Sequence, residues 1–359
     1  MSKRFFAMFS ALFLLLSLRC VFTSSAEAQF NNGCWAQIVS AATGLFGEPY
    51  EPPIPATAVN CQGLPFEFAQ MCWVLNNACP PADAAPETCA SCSKTPPVQG
   101  GGPIFFATGD TYIEENDIRL PGLGGGLVLT RMWNSLWPAT QSAYQIGLFG
   151  PNWRSTFEER VFAGGDGYMK YARGDGSFWS LGFSRYNPQS GDDEYTVVAP
   201  ANMSATLSQG STSWTLTFQN GEQRLFDNTT GHLTAIIDRN GNTTQLSYDS
   251  LGRLTTVADP ASRHLYFNYG SGSYLVASVT SDFGPSVSYS YDGQGRLTQV
   301  TEPDGSTLSF QYDSNSFISA VLDSNGKILE AHTYDNSGRG LTSTRANGVE
   351  ALTVTYIAE

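Results

Sequence analysis

Apolar and polar side chains alternate along the last third of the chain. Val287, Tyr289 and Tyr291 are separated by serines, and Leu308 and Phe310 lie on either side of another serine. Alternation with a period of two places the apolar side chains on one face of a strand and the polar ones on the other. The pattern therefore predicts a series of β-strands, each with one buried and one solvated face.

The predicted strands recur at a fixed spacing. An aromatic anchor stands at positions 226, 248, 269, 291, 312 and 334, so successive anchors are 21 or 22 residues apart. A fixed period of this size is typical of tandem units that bury their apolar faces only against their neighbours. The clearest copies share twelve motif residues: Tyr248, Asp249, Gly252, Arg253, Tyr291, Asp292, Gly295, Arg296, Tyr334, Asp335, Gly338 and Arg339.

Two turns fit into each period. Asp249 follows an anchor and Gly252 comes three residues later, as in a type I turn with Asp at its first position and Gly at its fourth. A second set of turn signals lies halfway round, at 240–242, 259–260, 304–306, 325–327 and 347–348. Its Asn-Gly and Asp-Gly pairs are strong hairpin signals, because both of their residues tolerate positive φ. Each unit is therefore predicted to be a β-hairpin.

Some copies of the repeat are degenerate. Gly270 replaces the motif Asp, and Ser316 stands where Gly stands elsewhere. Glu330 and His332 occupy alternating positions that are apolar in the other units. We therefore expect the inward apolar face to end near the C-terminus.

The Tyr-Asp-x-x-Gly-Arg-Leu units resemble the YD repeats of the RHS (rearrangement hot spot) family. Upstream, residues 109–112, 120–122, 127–131, 133–135 and 150–154 resemble the segment that leads into such repeats, except that Trp133 replaces the usual Tyr and Asn152 the usual Gly. The resemblance covers residues 100 to 359. It implies an all-β fold in which a curved sheet of tandem β-hairpins forms part of an RHS-type shell.

Composition agrees with an all-β protein, and the N-terminal sequence predicts that the protein is exported. Charged residues make up 14% of the chain, below the usual quarter, and aromatic residues 13%. Lys3 and Arg4, the apolar stretch 5–18 and an A-x-A site at 26–28 predict a signal peptide over residues 1–28. The apolar stretch is too short to span a bilayer, so we predict a secreted or cell-surface protein without an integral membrane segment.

Six cysteines remain after cleavage, all near the N-terminus. An even count in a short exported segment predicts a disulfide-stapled domain over residues 29–95, although the connectivity is open. Zinc at the Cys89 and Cys92 pair is the rival interpretation. A Pro/Gly linker at 96–103, a β-rich leader region at 104–215 and the repeats at 216–359 follow. The disulfide candidates are Cys34, Cys61, Cys72, Cys79, Cys89 and Cys92.

The net charge argues against nucleic acid as a partner. The mature chain has 16 basic and 31 acidic residues. Such a surface repels phosphate backbones, so we expect no binding to nucleic acid.

The sequence contains no recognisable catalytic motif. His232, His264 and His332 all fall within the repeats without ligand-like spacing, and most carboxylates occupy turn positions. Residues 173–175 have the sequence of the adhesion tripeptide Arg-Gly-Asp, but the pattern around them is typical of an ordinary hairpin tip. Acidic residues at 192–194 and within 238–242 could offer oxygen ligands to calcium but lack the expected bidentate Glu. We therefore predict no catalytic site, no metal site and no cofactor.

These observations favour a non-enzymatic, exported scaffold. It would be a shell or surface module of a larger or truncated protein that resembles the polymorphic toxins, without a recognisable toxic domain or cleavage motif of its own. A cell-surface carbohydrate-binding or adhesion module is the alternative, because exposed aromatic rings stack on sugars. The last strand, near Tyr356, is also expected to present an open edge to another protein chain. The biological ligand and the oligomeric state stay open.

Overall fold

The computed structural model of the chain describes residues 99–100, 104–106, 108–136, 146–164, 167–345 and 349–356. The predicted signal peptide and disulfide-stapled domain, with all six candidate cysteines and the alternative zinc pair, lie outside the described residues. So does the turn expected at 347–348. No helix in the described ranges is long and apolar enough to cross a membrane.

The first part of the described chain forms short strands and a small sheet. We call residues 104–159 the inner segment. Its three longest strands, β3 (Tyr112–Leu120), β4 (Leu127–Asn134) and β7 (Trp153–Ser155), pair antiparallel in the order β3-β4-β7, and a short 3₁₀ turn, Leu123–Gly125, joins the first two. The strands of this part are β1 (Gln99–Gly100), β2 (Ile104–Phe105), β3 (Tyr112–Leu120), β4 (Leu127–Asn134), β5 (Ile146–Gly147), β6 (Gly150–Pro151) and β7 (Trp153–Ser155).

The remaining strands form one antiparallel sheet, the repeat sheet, in which each strand pairs with its neighbours in sequence. It starts inside the predicted leader region and runs through all the predicted repeats. Its strands are β8 (Arg160–Ala163), β9 (Met169–Ala172), β10 (Phe178–Asn187), β11 (Asp192–Ala199), β12 (Ala205–Gln209), β13 (Ser213–Phe218), β14 (Gln223–Asp227), β15 (Leu233–Ile237), β16 (Thr243–Tyr248), β17 (Leu254–Ala258), β18 (His264–Tyr269), β19 (Val276–Ser281), β20 (Ser286–Tyr291), β21 (Leu297–Thr301), β22 (Thr307–Tyr312), β23 (Ile318–Leu322), β24 (Ile328–Tyr334), β25 (Gly340–Arg345) and β26 (Val349–Thr353).

Alternation and regular bulges shape this sheet. In β20, Val287 and Tyr289 are buried while the three serines of the strand are exposed, as the sequence predicts. The pairing register shifts by one residue immediately before each anchor, for example between Ser290 and Tyr291. A bulge bends its strand and increases the local twist. Because the bulge recurs at every anchor from Phe226 to Tyr334, the sheet curves in one direction.

The inner segment packs against the concave face of the repeat sheet. Four of its aromatic side chains are fully or almost fully buried, and each of these four contacts a ring on a repeat strand. The inner segment does not follow the repeats in one direction, since Gly109 meets Gly340, Pro121 meets Arg263, Trp133 returns to Tyr334 and Phe157 meets Phe267. The ring pairs, with centroid separations, are Trp133 with Tyr334 (6.2 Å), Trp153 with Phe310 (5.2 Å), Phe149 with Tyr289 (4.8 Å) and Phe157 with Phe267 (6.4 Å).

Backbone hydrogen bonds fix the same alignment at the turns. The first strand of the repeat sheet also folds back onto a later turn, because Val161 N–H donates to Gly231 O at 3.0 Å. Between the inner segment and the repeats, Val276 N–H donates to Leu148 O at 2.9 Å and Gly340 N–H to Gly109 O at 2.8 Å, and Arg263 Nη1 donates to Pro121 O at 2.9 Å.

The inward face stays buried near the C-terminus, although its buried apolar side chains end at Val321 and polar residues take their place. His332 is 3% exposed and Ser343 on the next strand is fully buried. The inner segment covers this part of the sheet, where Trp133 packs against Tyr334 and Gly340 N–H donates to Gly109 O. Burial here therefore follows from the position of these strands beneath the inner segment.

Candidate functional site

The Tyr-Asp-x-x-Gly-Arg motif builds a turn that is held by its own aspartate. The Asp249 carboxylate accepts the N–H of Leu251 at 2.9 Å and that of Arg253 at 3.0 Å, while Gly252 N–H donates to the Asp249 carbonyl at 2.9 Å. Gly252 has a φ of 77°, the left-handed conformation that glycine adopts most readily. Donation from the Arg253 N–H lowers the pKa of Asp249, so this aspartate stays ionised as a turn anchor.

The motif arginine ties its own turn to the next unit. Arg253 Nε donates to the Asp249 carboxylate at 2.8 Å, and its Nη1 donates to Ser273 O, one turn further along, at 2.7 Å. Its guanidinium also lies 4.6 Å from the centroid of the Tyr269 ring. The same stacking recurs between Arg296 and Tyr312 at 4.7 Å, and between Arg339 and Tyr356 at 4.3 Å. A cation over an aromatic face is stabilised by the ring quadrupole.

The anchor tyrosine ties each unit to the previous one. Its hydroxyl donates to a backbone carbonyl 15 or 16 residues earlier, at the start of the preceding unit's strand. Burial raises the pKa of these hydroxyls, to about 12 for Tyr312, so they remain donors at any physiological pH. The bonds run from Tyr248 to Leu233 O, Tyr269 to Leu254 O, Tyr291 to Val276 O, Tyr312 to Leu297 O, Tyr334 to Ile318 O and Tyr356 to Gly340 O, all at 2.7 or 2.8 Å.

Sequence reasoning identified the motif but missed one anchor. Tyr356 follows Tyr334 by 22 residues and makes both the hydroxyl bond and the arginine contact of a regular anchor. The interval alone would have found it. The structure thus places the twelve predicted motif residues in three equivalent turns, where they hold the repeats together.

In the second set of turns, only the glycine of each described Asn-Gly pair has positive φ. Gly241 and Gly326 have positive φ, but Asn240 and Asn325 do not. Each is a type I turn followed by a left-handed glycine, in which Gly241 N–H donates to Asp238 O at 3.0 Å. The reason is Asp238, whose carboxylate accepts the N–H groups of Asn240 and Asn242 and so stabilises the type I geometry.

The adhesion tripeptide is part of a packed hairpin. Arg173 and Asp175 form an ion pair at 3.4 Å with side chains only 20% and 11% exposed. Gly174 lies against the backbone of Ser155, where even a Cβ atom would approach to 2.7 Å. The Asp175 carbonyl accepts a hydrogen bond from the Asn134 amide at 3.1 Å. The tripeptide is therefore held against the inner segment.

Neither proposed calcium segment gathers ligands. The Asp238 carboxylate is engaged within its own turn, and Glu194 pairs with Arg185 at 2.6 Å. In the part of the chain that the structure describes, no three Asp, Glu, His or Cys side chains cluster in a way that could hold a metal ion.

The three histidines have separate environments. His232 takes the place of the motif arginine and stacks on the Tyr248 ring at 5.0 Å, and burial lowers its pKa. His332 is buried beneath the inner segment, with its Nε2 at 3.5 Å from the Glu330 carboxylate. His264 lies on the outer face and its Nδ1 contacts Asp282 at 2.7 Å.

The outer face of β18 carries a cluster that the other repeats lack. We call His264, Tyr266, Asp282 and Phe283 the outer patch. The Tyr266 hydroxyl donates to Asp282 at 2.9 Å, and the His264 and Tyr266 rings stack at 5.6 Å. Phe283 is 63% exposed. At the positions equivalent to His264 and Tyr266, three other repeat strands carry small or amide side chains: Thr243 and Gln245, Ser286 and Ser288, and Thr307 and Ser309.

A buried charge cluster joins the inner segment to the repeats, and sequence reasoning did not find it. Arg131 is fully buried and forms a 2.5 Å ion pair with Asp117 across β3 and β4. The Tyr289 hydroxyl, from the repeat strand β20, donates to the same carboxylate at 2.6 Å. The guanidinium lies 4.7 Å from the Trp153 ring and 5.7 Å from the Phe149 ring. Alternation along β4 gives a hint, because Arg131 occupies an inward position between Leu129 and Trp133.

Two family descriptions match parts of the chain. Residues 202–336 match the family described as Teneurin YD-shell, and residues 101–179 match a domain of unknown function, DUF6531. The first covers most of the repeat sheet and the second the inner segment with the first strands of that sheet. No curated protein matches the chain.

Solved structures of toxin complexes are also similar over part of their length. The TcdB2–TccC3 complex without its hypervariable C-terminal region is 12% identical over 66% of this chain and 15% of that chain, with a TM-score of 0.29. The Tc holotoxin pore of Photorhabdus luminescens is 12% identical over 65% and 14%, with a TM-score of 0.27. The TcdB2–TccC3–Cdc42 complex is 11% identical over 88% and 18%, with a TM-score of 0.27. This chain thus spans less than a fifth of the solved chains.

Proposed function

Because this chain belongs to the RHS and YD-repeat proteins, we propose that it is an exported, non-enzymatic scaffold that forms part of a shell. The observation that carries the proposal is the use of the motif side chains. The tyrosine hydroxyl binds the previous unit, the aspartate closes its own turn and the arginine contacts the next unit. The residue types that recur most regularly therefore serve assembly of the sheet.

The packing of the inner segment supports the same proposal. Trp133, Phe149, Trp153 and Phe157 cover the concave face that the repeats form. In the described residues, the curved sheet and its filling are thus a single hydrophobic core, as suits a rigid module of a larger shell. Membership of a larger, toxin-like protein is part of the proposal, supported by the match to a YD-shell family.

Limited proteolysis of the full chain, secreted from a host with an oxidising export pathway, tests the scaffold. We expect cleavage of the signal peptide after Ala28, paired cysteines by mass spectrometry, and one protease-resistant fragment that spans residues 104 to 356. Tyr291→Leu should let protease enter the repeats, whereas Tyr274→Leu, at an exposed turn position, should not. Rapid cutting at the repeat turns of the parent protein would contradict a rigid shell module.

Carbohydrate binding is the second candidate function, and the outer patch favours it. Its Tyr266 and Phe283 rings are exposed, and the Asp282 carboxylate could accept hydroxyl hydrogen bonds next to them. Exposed rings beside a polar acceptor suit a sugar, which offers both apolar ring faces and hydroxyl donors. The repeats on either side carry no comparable ring at these positions.

A glycan array with the secreted protein tests this candidate. Any glycan bound should lose at least tenfold in affinity with Tyr266→Ala, while Gln245→Ala, the equivalent position one repeat earlier, should bind like the parent. Equal binding by both variants, or no binding by the parent, would exclude the outer patch as a glycan site.

A further proposed contact is the pairing of another chain with β26. Within the described residues this strand pairs with β25 alone. An exposed strand edge presents N–H and C=O groups that can template another strand. Light scattering on the protein at tens of micromolar tests this pairing. A monomeric mass that stays the same when the residues after Gly348 are deleted would contradict it.

A further inference from the structure

The outer patch lies at a turn that departs from the pattern of the repeat sheet. The turns at 238–242, 259–263 and 323–327 each contain five residues, and an aspartate at the first position accepts the N–H groups of the third and the fifth. The turn at 282–285 contains four residues and ends on Pro285, which has no N–H to donate. Asp282 therefore lacks the donor that the fifth residue supplies elsewhere.

The Asp282 carboxylate forms hydrogen bonds within the outer patch instead of capping its own turn. Its Oδ2 accepts the backbone N–H of His264 at 2.9 Å and lies 2.7 Å from His264 Nδ1, and its Oδ1 accepts the Tyr266 hydroxyl at 2.9 Å. Hydrogen bonding from the His264 side chain lowers the pKa of Asp282, so this carboxylate is ionised and has no proton of its own. Nδ1 is therefore the donor in its contact with Asp282.

The polar side-chain atoms that the outer patch offers to a ligand are acceptors. Because Nδ1 holds the proton, the neutral His264 ring has its lone pair at Nε2, which makes no hydrogen bond to the described residues. The Tyr266 proton is committed to Asp282, so the Tyr266 oxygen and the carboxylate have only lone pairs left. Beside them, the exposed Tyr266 and Phe283 rings supply apolar surface. A ligand for this surface must bring its own donors.

The charge at the outer patch is negative. Asp282 is ionised, and 30% of its side chain is exposed. The cation that directly precedes the patch in sequence, Arg263, is held by Asp259 at 2.6 Å and donates to Pro121 O at 2.9 Å. On the flanking strands, Tyr266 is paired with uncharged threonines. An anionic ligand would therefore be repelled by Asp282, and Arg263 would not offset the repulsion.

We propose that the outer patch is selective for uncharged, hydroxyl-rich sugars and rejects sugars that carry a carboxylate or sulfate group. This inference rests on the second candidate function, carbohydrate binding, and names the class of sugar. The hydroxyls of an uncharged sugar donate to His264 Nε2 and to Asp282, while an apolar face of the sugar ring stacks on Tyr266. A carboxylate or sulfate group supplies acceptors only and brings a second negative charge next to Asp282. His264 and Asp282 thus determine the specificity of the patch.

A glycan array that pairs each terminal hexose with the uronic acid of the same configuration tests this selectivity, because the two sugars have nearly the same shape. The full secreted chain is applied at pH 8, where an imidazole is ordinarily neutral. The uronic acid should bind more weakly than its hexose by about tenfold or more. Asp282→Asn removes the charge and adds an amide donor, so the difference should shrink to less than about threefold. This variant should fold, since the Asp282 carboxylate caps no turn.

His264→Asn tests the acceptor at Nε2. The asparagine amide can replace the Nδ1 donor to Asp282, whereas nothing in the new side chain replaces Nε2. Affinity for the hexose should fall by about three- to tenfold, as the loss of one hydrogen bond implies. Thr243→Ala is the matched control, because Thr243 occupies the equivalent position one repeat earlier. It should bind like the parent, and equal binding by His264→Asn would overturn the role of His264.

The outcomes distinguish this inference from the candidate function on which it rests. If the parent binds a hexose and its uronic acid equally, and Tyr266→Ala weakens both, carbohydrate binding stands and the selectivity is overturned. If Asp282→Asn discriminates between the two sugars as the parent does, Asp282 does not determine the specificity and the proposal is overturned as well. If the parent binds no glycan, both the candidate function and the inference are overturned.

Discussion

The repeats and the inner segment are stabilised in different ways. In the repeats, one short motif supplies the same hydrogen bonds again and again, so each unit is fixed by residues close to it in sequence. The inner segment depends on single contacts that occur once, such as the bond between Tyr289 and Asp117, which are 172 residues apart. Loss of one repeat contact should therefore be a local defect, whereas loss of one inner contact should affect the whole docked segment.

The largest effect should come from the inner segment. Arg131→Ala leaves the Asp117 carboxylate buried without its cation and removes a guanidinium from between two rings. Breaking a buried ion pair in this way costs about 3 to 5 kcal/mol. Urea denaturation should show this loss in the free energy of unfolding.

The double variant Arg131→Met with Asp117→Leu is the control for this first prediction. Replacement of both charges by apolar side chains of similar size should recover a large part of the loss. If Arg131→Ala unfolds like the parent, the charge cluster does not hold the two regions together.

A repeat turn should respond less strongly. Gly295 has a φ of 77° and its nearest non-local atom is 3.5 Å from the position of a Cβ, so space is adequate and backbone strain decides the outcome. Gly295→Val should cost about 1 to 3 kcal/mol, because a β-branched residue is strained in this conformation. Thermal melts measure it, with Ser250→Ala, an exposed turn residue, as the control that should melt like the parent.

The sequence predicted the repeats well because their determinants are local. Tyr248, Asp249, Gly252 and Arg253 lie within six positions of one another, and the period repeats them often enough to be recognised. The positive φ of the motif glycines follows from the turn alone. The Asn240 conformation does not follow from the Asn-Gly pair alone, because Asp238 favours a type I turn there.

The packing of the inner segment could not be predicted in the same way. Its partners are far away in sequence, and no local pattern shows that Arg131 will meet Tyr289. The burial of His332 was missed for the same reason. A polar residue at this inward position of the strand suggests exposure to solvent, but another segment of the chain covers it. The outer patch joins His264 to Asp282 across two paired strands, which period and alternation do not reveal.

The smallest expected effect lies where the two regions meet. Tyr291 donates to Val276 O at 2.8 Å, and the Val276 N–H donates in turn to Leu148 O of the inner segment at 2.9 Å. Tyr269 makes the equivalent bond to Leu254 O, within the repeats. Either Tyr→Phe change removes one hydrogen bond and should cost about 0.5 to 1.5 kcal/mol.

The difference between these two variants tests whether the regions are coupled. If the inner segment is docked independently of the repeat motif, Tyr291→Phe and Tyr269→Phe should lower the free energy of unfolding equally and leave hydrogen exchange of the β3 amides unchanged. If the hydrogen bonds at Val276 act as one chain, Tyr291→Phe alone should speed that exchange. We expect coupling, because the two bonds hold the peptide groups on either side of the Val276 Cα, one through the Val276 carbonyl that accepts from Tyr291 and one through the Val276 N–H that donates to the inner segment. Identical exchange in the two variants would show that the motif holds the repeats together and contributes nothing to docking.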